Sequence, residues 1–133
     1  MTVQGLTRMR SGSGPQDTMN RLEAAVKAKE LTVFARSDHA AGAGAVGLTL
    51  RPTEALIFGN AKGGTPLMQS VQTIGIDLPL KALVWQDSSD VTWLSYNEPA
   101  WLAQRHGLSG ATDAVVGNLT AAPDAVAKAA TAG

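Results

Sequence analysis

The residues with the clearest chemical potential lie in one short glycine-rich segment. An apolar run ends at Phe58 and is followed by Gly-Asn-Ala-Lys-Gly-Gly-Thr-Pro at positions 59–66. Consecutive backbone N–H groups before a helix, together with the positive end of that helix, can hold a phosphate or a carboxylate. A lysine inside the segment would add a positive charge. The segment therefore predicts a site for a small anionic ligand, formed by Asn60, Lys62, Gly63, Gly64 and Thr65.

The same segment also has a purely structural interpretation. A turn from a strand into a helix uses glycine wherever φ must be positive, and it leaves a lysine such as Lys62 in solvent. The spacing does not match a Walker loop, because that motif places Gly-Lys directly before Ser or Thr. Both alternatives stay open on the sequence alone.

Asp38 and His39 form the second candidate site and are possible neighbours of the first. An imidazole beside a carboxylate can act as a general base near neutral pH. Adjacent residues of a strand point to opposite faces, however, so the two side chains need not act together. The alternative makes Asp38 the N-cap of a helix from Ala40 onward and His39 a structural residue. His106, just before Gly107, is expected to interact with the C-terminal end of a helix.

Other chemistries lack the residues they need. The chain has no Cys, which excludes a disulfide scaffold, a thiolate metal site and a cysteine nucleophile. Its two His residues lack the spacing of a metal motif, and no Gly-x-Ser-x-Gly occurs, so we expect neither a metal site nor a serine hydrolase. Trp85, Trp93 and Trp101 are expected to make core or dimer contacts.

Length and charge limit the class of protein. A chain of 133 residues fits one domain, and the 44% of hydrophobic residues can form its core. Eleven basic residues balance eleven acidic ones without a basic cluster, which argues against nucleic-acid binding. No apolar stretch is long enough to cross a membrane, and the first ten residues lack the apolar core of a signal peptide. We therefore expect a soluble, cytoplasmic protein that contacts neither nucleic acid nor membrane.

Apolar spacing and turn residues predict the order of the elements. The strongest signal is a hairpin of Lys81–Gln86 and Val91–Tyr96 joined by a four-residue polar turn. Further predictions are a helix over 15–29, strands over 3–9, 31–38 and 55–58, helices over 65–71 and 98–106, and two alanine-rich pieces broken by Pro123. Helices interleaved with strands, without a regular βαβ rhythm, favour an α+β fold. We expect a single compact domain with one mixed or antiparallel sheet and helices packed mainly on one face.

Several segments in order resemble the family called domain of unknown function 302. Phe58-Gly59-Asn60 and Gly64-Thr65-Pro66-Leu67-Met68 belong to the most diagnostic block, although Ala61 stands where the family usually has proline. The other matching segments are Phe34–Ala41, Val46–Glu54, Asp77–Lys81, Trp93–Asn97 and Arg105–Leu108. The resemblance covers residues 1–108 apart from the first few, and 109–133 is expected to be an alanine-rich helical extension of the same domain. It implies a compact α+β fold, a homodimer and no established reaction.

The sequence thus leads to three hypotheses about function. The first is a homodimeric domain that binds or senses a small anionic ligand, with no cofactor that the sequence can name. The second is an enzyme with His39 as general base, in which the 59–65 loop stabilises an anion. The third is a structural module that serves only dimerisation or interaction.

Overall fold

The computed structural model describes residues 2–108 and 113–132. Within these residues the chain forms five strands and five α-helices, with a 3₁₀ helix at Gln72–Asp77. The strands are β1 (Leu6–Arg10), β2 (Thr32–Asp38), β3 (Thr53–Gly59), β4 (Leu80–Gln86) and β5 (Thr92–Asn97). The helices are α1 (Pro15–Ala28), α2 (His39–Ala45), α3 (Ala61–Ser70), α4 (Pro99–Arg105) and α5 (Asp113–Thr131).

The strands form one antiparallel sheet in the order β1-β5-β4-β3-β2. The predicted hairpin is the β4–β5 pair, with Trp85 opposite Trp93. At the sheet edge, β2 pairs with β3 so that Thr32 lies opposite Gly59 and Asp38 opposite Glu54. The α+β class and the single sheet are confirmed, and all strand pairs among the described residues are antiparallel.

The core lies between the sheet and the helices α1 and α5. Met19, Leu22 and Val26 recur at helical spacing along α1 and are fully buried. They meet the buried residues of the three central strands, which alternate along each strand because successive side chains point to opposite faces. This cluster includes Leu56, Phe58, Leu80, Ala82, Val84, Leu94, Tyr96, Val126, Ala127 and Ala130.

Two predicted helix boundaries were wrong. Helix α3 begins at Ala61 rather than at Thr65, because Asn60 acts as its N-cap and Pro66 lies inside the helix. Helix α5 continues through Pro123 instead of breaking there. Its last two turns bury Val126 and Ala130 in the core, and this packing offsets the hydrogen bond that proline removes. Residues 109–112 of the expected extension lie outside the described residues.

One glycine is required by a close contact. Gly5 has φ of 74°, and a Cβ atom there would lie 2.3 Å from Cδ2 of Trp101. The absence of a side chain thus lets the segment before β1 cross the Trp101 ring at the start of α4. Within the described residues, no helix is both long and apolar enough to cross a membrane.

An ion pair ties the edge strand β2 to its neighbour. Nε of Arg36 lies 2.7 Å from Oε2 of Glu54, and its Nη2 donates a second bond to Oε1 at 3.1 Å. The Glu54 carboxylate raises the pKa of the Arg36 guanidinium above its usual value. Both side chains are largely shielded from solvent, so this bidentate pair should contribute more than an exposed one.

We expect Glu54→Ala to lower the free energy of unfolding by about 2 kcal/mol, because it leaves the Arg36 charge without its main partner. Arg21→Ala is the matched control, since it removes an exposed ion pair with Asp17 and should cost less than about 0.5 kcal/mol. Urea unfolding followed by circular dichroism measures both. Equal losses in the two variants would contradict the role given to the Arg36–Glu54 pair.

Candidate functional site

The glycine-rich segment forms the first turn of α3, not a free loop. Oδ1 of Asn60 accepts a hydrogen bond from the N–H of Gly63 at 2.7 Å, and the Asn60 carbonyl accepts one from Gly64 at 3.2 Å. These N–H groups are therefore already engaged. The Asn60 cap thus uses the N–H groups of Gly63 and Gly64 that the expected anion cradle would need.

The two glycines instead allow close packing. A Cβ atom on Gly63 would lie 3.2 Å from Oδ1 of Asn60 and 3.4 Å from Cδ1 of Leu119. One on Gly64 would lie 3.3 Å from Cδ1 of Leu78. The start of α3 can thus approach α5 on one side and the segment before β4 on the other.

A cavity of about 200 Å³ opens beside this helix start. We call it the helix-start cavity, and its polar lining side chains, among the described residues, are those of Asn60 and Thr65. The rest of its wall consists of Phe34, Gly59, Ala61, Met68, Leu78, Pro79, Leu80 and Leu119. Two of the predicted site residues therefore border a real cavity, and its lining is mainly apolar.

The aromatic wall of this cavity comes from an irregularity in β2. The pairing of β2 with β3 shifts register between Val33 and Ala35, so that Phe34 is an extra residue in the edge strand. Its side chain is 56% exposed, although aromatic side chains usually bury more of their surface. The bulge thereby places an exposed aromatic ring at the cavity.

Lys62 does not contribute to the cavity. It is exposed at the second position of α3 and is absent from the residues that line the cavity. The first turn of a helix favours negative rather than positive charge, so local helix electrostatics do not account for a lysine there.

Asp38 and His39 are separated from the helix-start cavity by the length of the edge strands. Asp38 pairs with Glu54 at one end of β3, whereas Gly59 at the other end leads into Asn60. Five residues of extended chain correspond to about 17 Å. The predicted combination of these two residues with the loop is therefore not formed.

Asp38 has the structural role that the sequence left as an alternative. Its Oδ1 accepts a hydrogen bond from the N–H of Ala41 at 2.9 Å, which makes it the N-cap of α2. His39 is exposed as the first residue of that helix. Asp38 also borders a second cavity of about 340 Å³ together with Glu54, but His39 does not line it.

His106 belongs to a polar cluster that sequence reasoning missed. As expected, it lies at the C-terminal end of a helix, where it caps α4. Its Nε2 lies 2.6 Å from Oδ2 of Asp77, and its Nδ1 lies 3.0 Å from Oγ1 of Thr73. Arg105 binds both oxygens of the Asp77 carboxylate. The cluster joins α4 to the 3₁₀ helix. Its two parts lie about thirty residues apart in the sequence, so no local pattern reveals their contact.

The tryptophans of the hairpin lie on the sheet face opposite the core. The rings of Trp85 and Trp93 stack with centroids 6.2 Å apart, and the guanidinium of Arg8 lies 4.5 Å from the Trp93 ring centroid. Trp85 donates to Oγ of Ser95, and Trp93 donates to Oδ2 of Asp87. The Trp93 hydrogen bond lowers the pKa of the Asp87 carboxyl. These residues define an open sheet face, in which both rings keep part of their surface in solvent.

A further cavity lies between β5 and α5. It measures about 430 Å³ and is bordered by Tyr96, Asp124, Thr7 and Glu98. Burial raises the pKa of the Tyr96 hydroxyl, which points to Oδ1 of Asp124 at 3.4 Å. Asp124 is already paired with Lys128 at 2.9 Å. Among residues 2–108 and 113–132, no three His, Cys, Asp or Glu side chains are grouped so that they could hold a metal ion.

We expect Asn60→Ala to lower the free energy of unfolding by about 1 kcal/mol, because α3 loses its N-cap. Asn60→Asp is the matched control, since aspartate caps helices as well as asparagine and should stay within a few tenths of a kcal/mol of the parent chain. Urea unfolding of the three proteins measures this. If Asn60→Ala were as stable as the parent, the N-cap would not explain why asparagine stands at this position.

Comparisons with known proteins place the chain in a family. The profile described as "Domain of unknown function DUF302" matches residues 7–126, and thus extends into α5. A crystal structure of an uncharacterized DUF302 protein from Bacillus stearothermophilus superposes with a TM-score of 0.84, covering 96% of this chain and 99% of that one. Its sequence identity of 18% means that the likeness concerns the fold.

Two curated relatives come from Brucella. Proteins named "Fluoride-specific ion channel FluC 1", from Brucella suis biovar 1 (strain 1330) and Brucella abortus biovar 1 (strain 9-941), are each 48% identical over 112 residues. The match covers 84% of this chain but only 44% and 42% of those proteins, so the chain spans less than half of their length. By the profile match over most of its length, the chain belongs to the DUF302 family, a family of unknown function.

Proposed function

We propose that this chain is a small-molecule-binding domain and that the helix-start cavity is its site. The observation that carries the proposal is a concave, mainly apolar cavity with two polar side chains, Asn60 and Thr65, at its edge. Ligand sites in proteins usually combine an apolar wall with a few placed polar groups. The cavity also lies where β3 leads into α3, within the segment by which the sequence resembles its family.

The test is to fill the cavity without changing the rest of the fold. We expect Ala61→Phe to place a ring in the mouth of the cavity and to abolish binding of small molecules there. Gln69→Phe is the matched control, because Gln69 is exposed on the same helix and does not line the cavity. Backbone amide NMR shifts are recorded during titration with phenol, toluene, phosphate and fluoride.

Support for the proposal is at least one compound that shifts the amide signals of residues 59–65 in the parent chain and in Gln69→Phe, but not in Ala61→Phe. The proposal fails if none of the four compounds shifts these signals. Fluoride is included because the Brucella relatives are named for it; for this chain, a role connected with fluoride stays a proposal.

A second candidate function is self-association through the open sheet face. Five strands spaced about 4.8 Å apart and about 20 Å long give the sheet face a flat area of roughly 500 Å². The surface added by protruding side chains is not included in this area. The flat area is of the same order as the about 800 Å² that each partner buries in a stable interface. Leu83, Trp85 and Trp93 are only half-buried there, so a second copy packed face to face would cover an apolar surface.

We expect Leu83→Glu to convert a dimer into a monomer, because a buried, unpaired carboxylate opposes packing of the two faces. Ile76→Glu is the matched control, since Ile76 is 74% exposed but lies in the 3₁₀ helix rather than in the sheet. Sedimentation velocity gives the masses. A parent chain that sediments as a monomer would rule this candidate out, as would a dimer that persists in Leu83→Glu.

The arrangement of His39 and the 59–65 segment does not support the enzyme hypothesis. The hypothesis required His39 beside the 59–65 segment and a cavity between them, whereas Asp38, the residue before His39, pairs with Glu54 at the end of β3 opposite Gly59.

A further inference from the structure

We propose that the ligand of the helix-start cavity is a compact, uncharged and mainly apolar molecule, about the size of one aromatic ring, with a single hydrogen-bonding group. This inference rests on the proposed function and replaces the anionic ligand that the sequence predicted. It is carried by the composition of the cavity wall, by its volume and by the position of its two polar side chains.

The wall favours an uncharged ligand. Among the residues that the structure describes, no charged one lines the cavity, and Phe34, Met68, Leu78 and Leu80 supply much of its apolar surface. Transferring an isolated charge from water into such surroundings costs far more than transferring a neutral group. The N–H groups of Gly63 and Gly64 cannot compensate, because Asn60 already accepts from both.

The volume favours a small ligand. The cavity measures about 200 Å³. For comparison, an engineered apolar cavity of about 150 Å³ in another protein binds benzene. The helix-start cavity therefore has room for one ring with a short substituent, and the remainder of a larger ligand would extend from the mouth into solvent.

Two side chains can orient such a ligand. Within residues 2–108 and 113–132, neither Nδ2 of Asn60 nor Oγ1 of Thr65 has a hydrogen-bond partner, although Oδ1 of Asn60 is held by Gly63. Both residues are exposed at the mouth, whereas Leu80 inside is buried. A hydroxyl group of the ligand can accept a hydrogen bond from Nδ2 of Asn60 and donate one to Oγ1 of Thr65, while the apolar body of the ligand points inward. A carbonyl oxygen in its place can accept from both side chains.

Leu119 limits the length of the ligand. A smaller cavity of about 140 Å³ adjoins the helix-start cavity. Both cavities are lined by Gly59, Asn60, Leu80 and Leu119. Leu119 is partly buried against the core and faces Gly63 at the start of α3. Shortening this side chain should join the two spaces and admit a longer ligand.

The test compares phenol, toluene, phosphate and fluoride by the NMR titration. We expect phenol to bind most tightly, and toluene to bind about five- to tenfold more weakly, because it lacks the hydrogen-bonding group. Thr65→Val should weaken phenol about fivefold and leave toluene unchanged. Thr49→Val, at an exposed position away from the cavity, is the matched control.

The outcomes separate this inference from the proposed function. If phosphate or fluoride binds at residues 59–65 more tightly than phenol, and Ala61→Phe abolishes that binding, the ligand class is wrong although the site is right. If toluene binds as tightly as phenol, the inference that the ligand carries a hydrogen-bonding group is wrong. If none of the four compounds binds, both proposals fall together.

The role of Leu119 has its own readout. We expect Leu119→Ala to bind 4-propylphenol at least tenfold more tightly than the parent chain does, while phenol affinity changes little. Retained phenol binding shows that the variant is folded. Unchanged affinity for 4-propylphenol in a variant that still binds phenol would overturn the assignment of Leu119 as the partition.

Discussion

The packing of helices on one face of the sheet is the constraint on which the rest of the structure depends. Helices α1 and α5 pack on each other and on that face, and together they shield Leu56, Phe58 and Leu94 from water. Successive side chains of a strand point to opposite faces of the sheet. The residues that alternate with the core residues along each strand therefore point away from the helices. The stacked pair of Trp85 and Trp93 on the open face is therefore a direct consequence of the one-sided core.

The same arrangement determines where a cavity can form. Strand β3 lies between β2 and β4 and ends at Gly59, and the chain must then turn at once into α3. At this corner the sheet, the start of α3 and the Leu119 side chain of α5 come together without filling the space between them. The bulge at Phe34 adds a ring from the edge strand. The cavity thus depends on long-range packing of elements that each have an ordinary local structure.

The difference between local structure and long-range packing explains what the sequence could predict. The hairpin, the start of α1 and the α+β class follow from local patterns, namely alternation, a proline at the first helical position and a polar turn. The continuous helix α5 could not be foreseen, since local rules interrupt it at Pro123 and only packing in the core maintains it. The same holds for the contact between His106 and Asp77, which joins residues distant in sequence. Asn60 and Thr65 were predicted as site residues and line the helix-start cavity, but the apolar character of their surroundings could be seen only in the fold.

The role of the glycine pair shows how two local rules can compete. A glycine-rich segment before a helix suggests free N–H groups, and an asparagine three residues before Gly63 suggests an N-cap that consumes them. Both patterns are present in this sequence, and the helix starts at the earlier position because the cap satisfies an N–H group that would otherwise remain unpaired. Once the cap forms, a side chain at Gly63 or Gly64 would press on Leu119 or Leu78. The glycines are then explained by the close approach of α3 to its neighbours. The groups that remain available to contact a ligand at this corner are the side chains around the cavity rather than the backbone N–H groups of the two glycines.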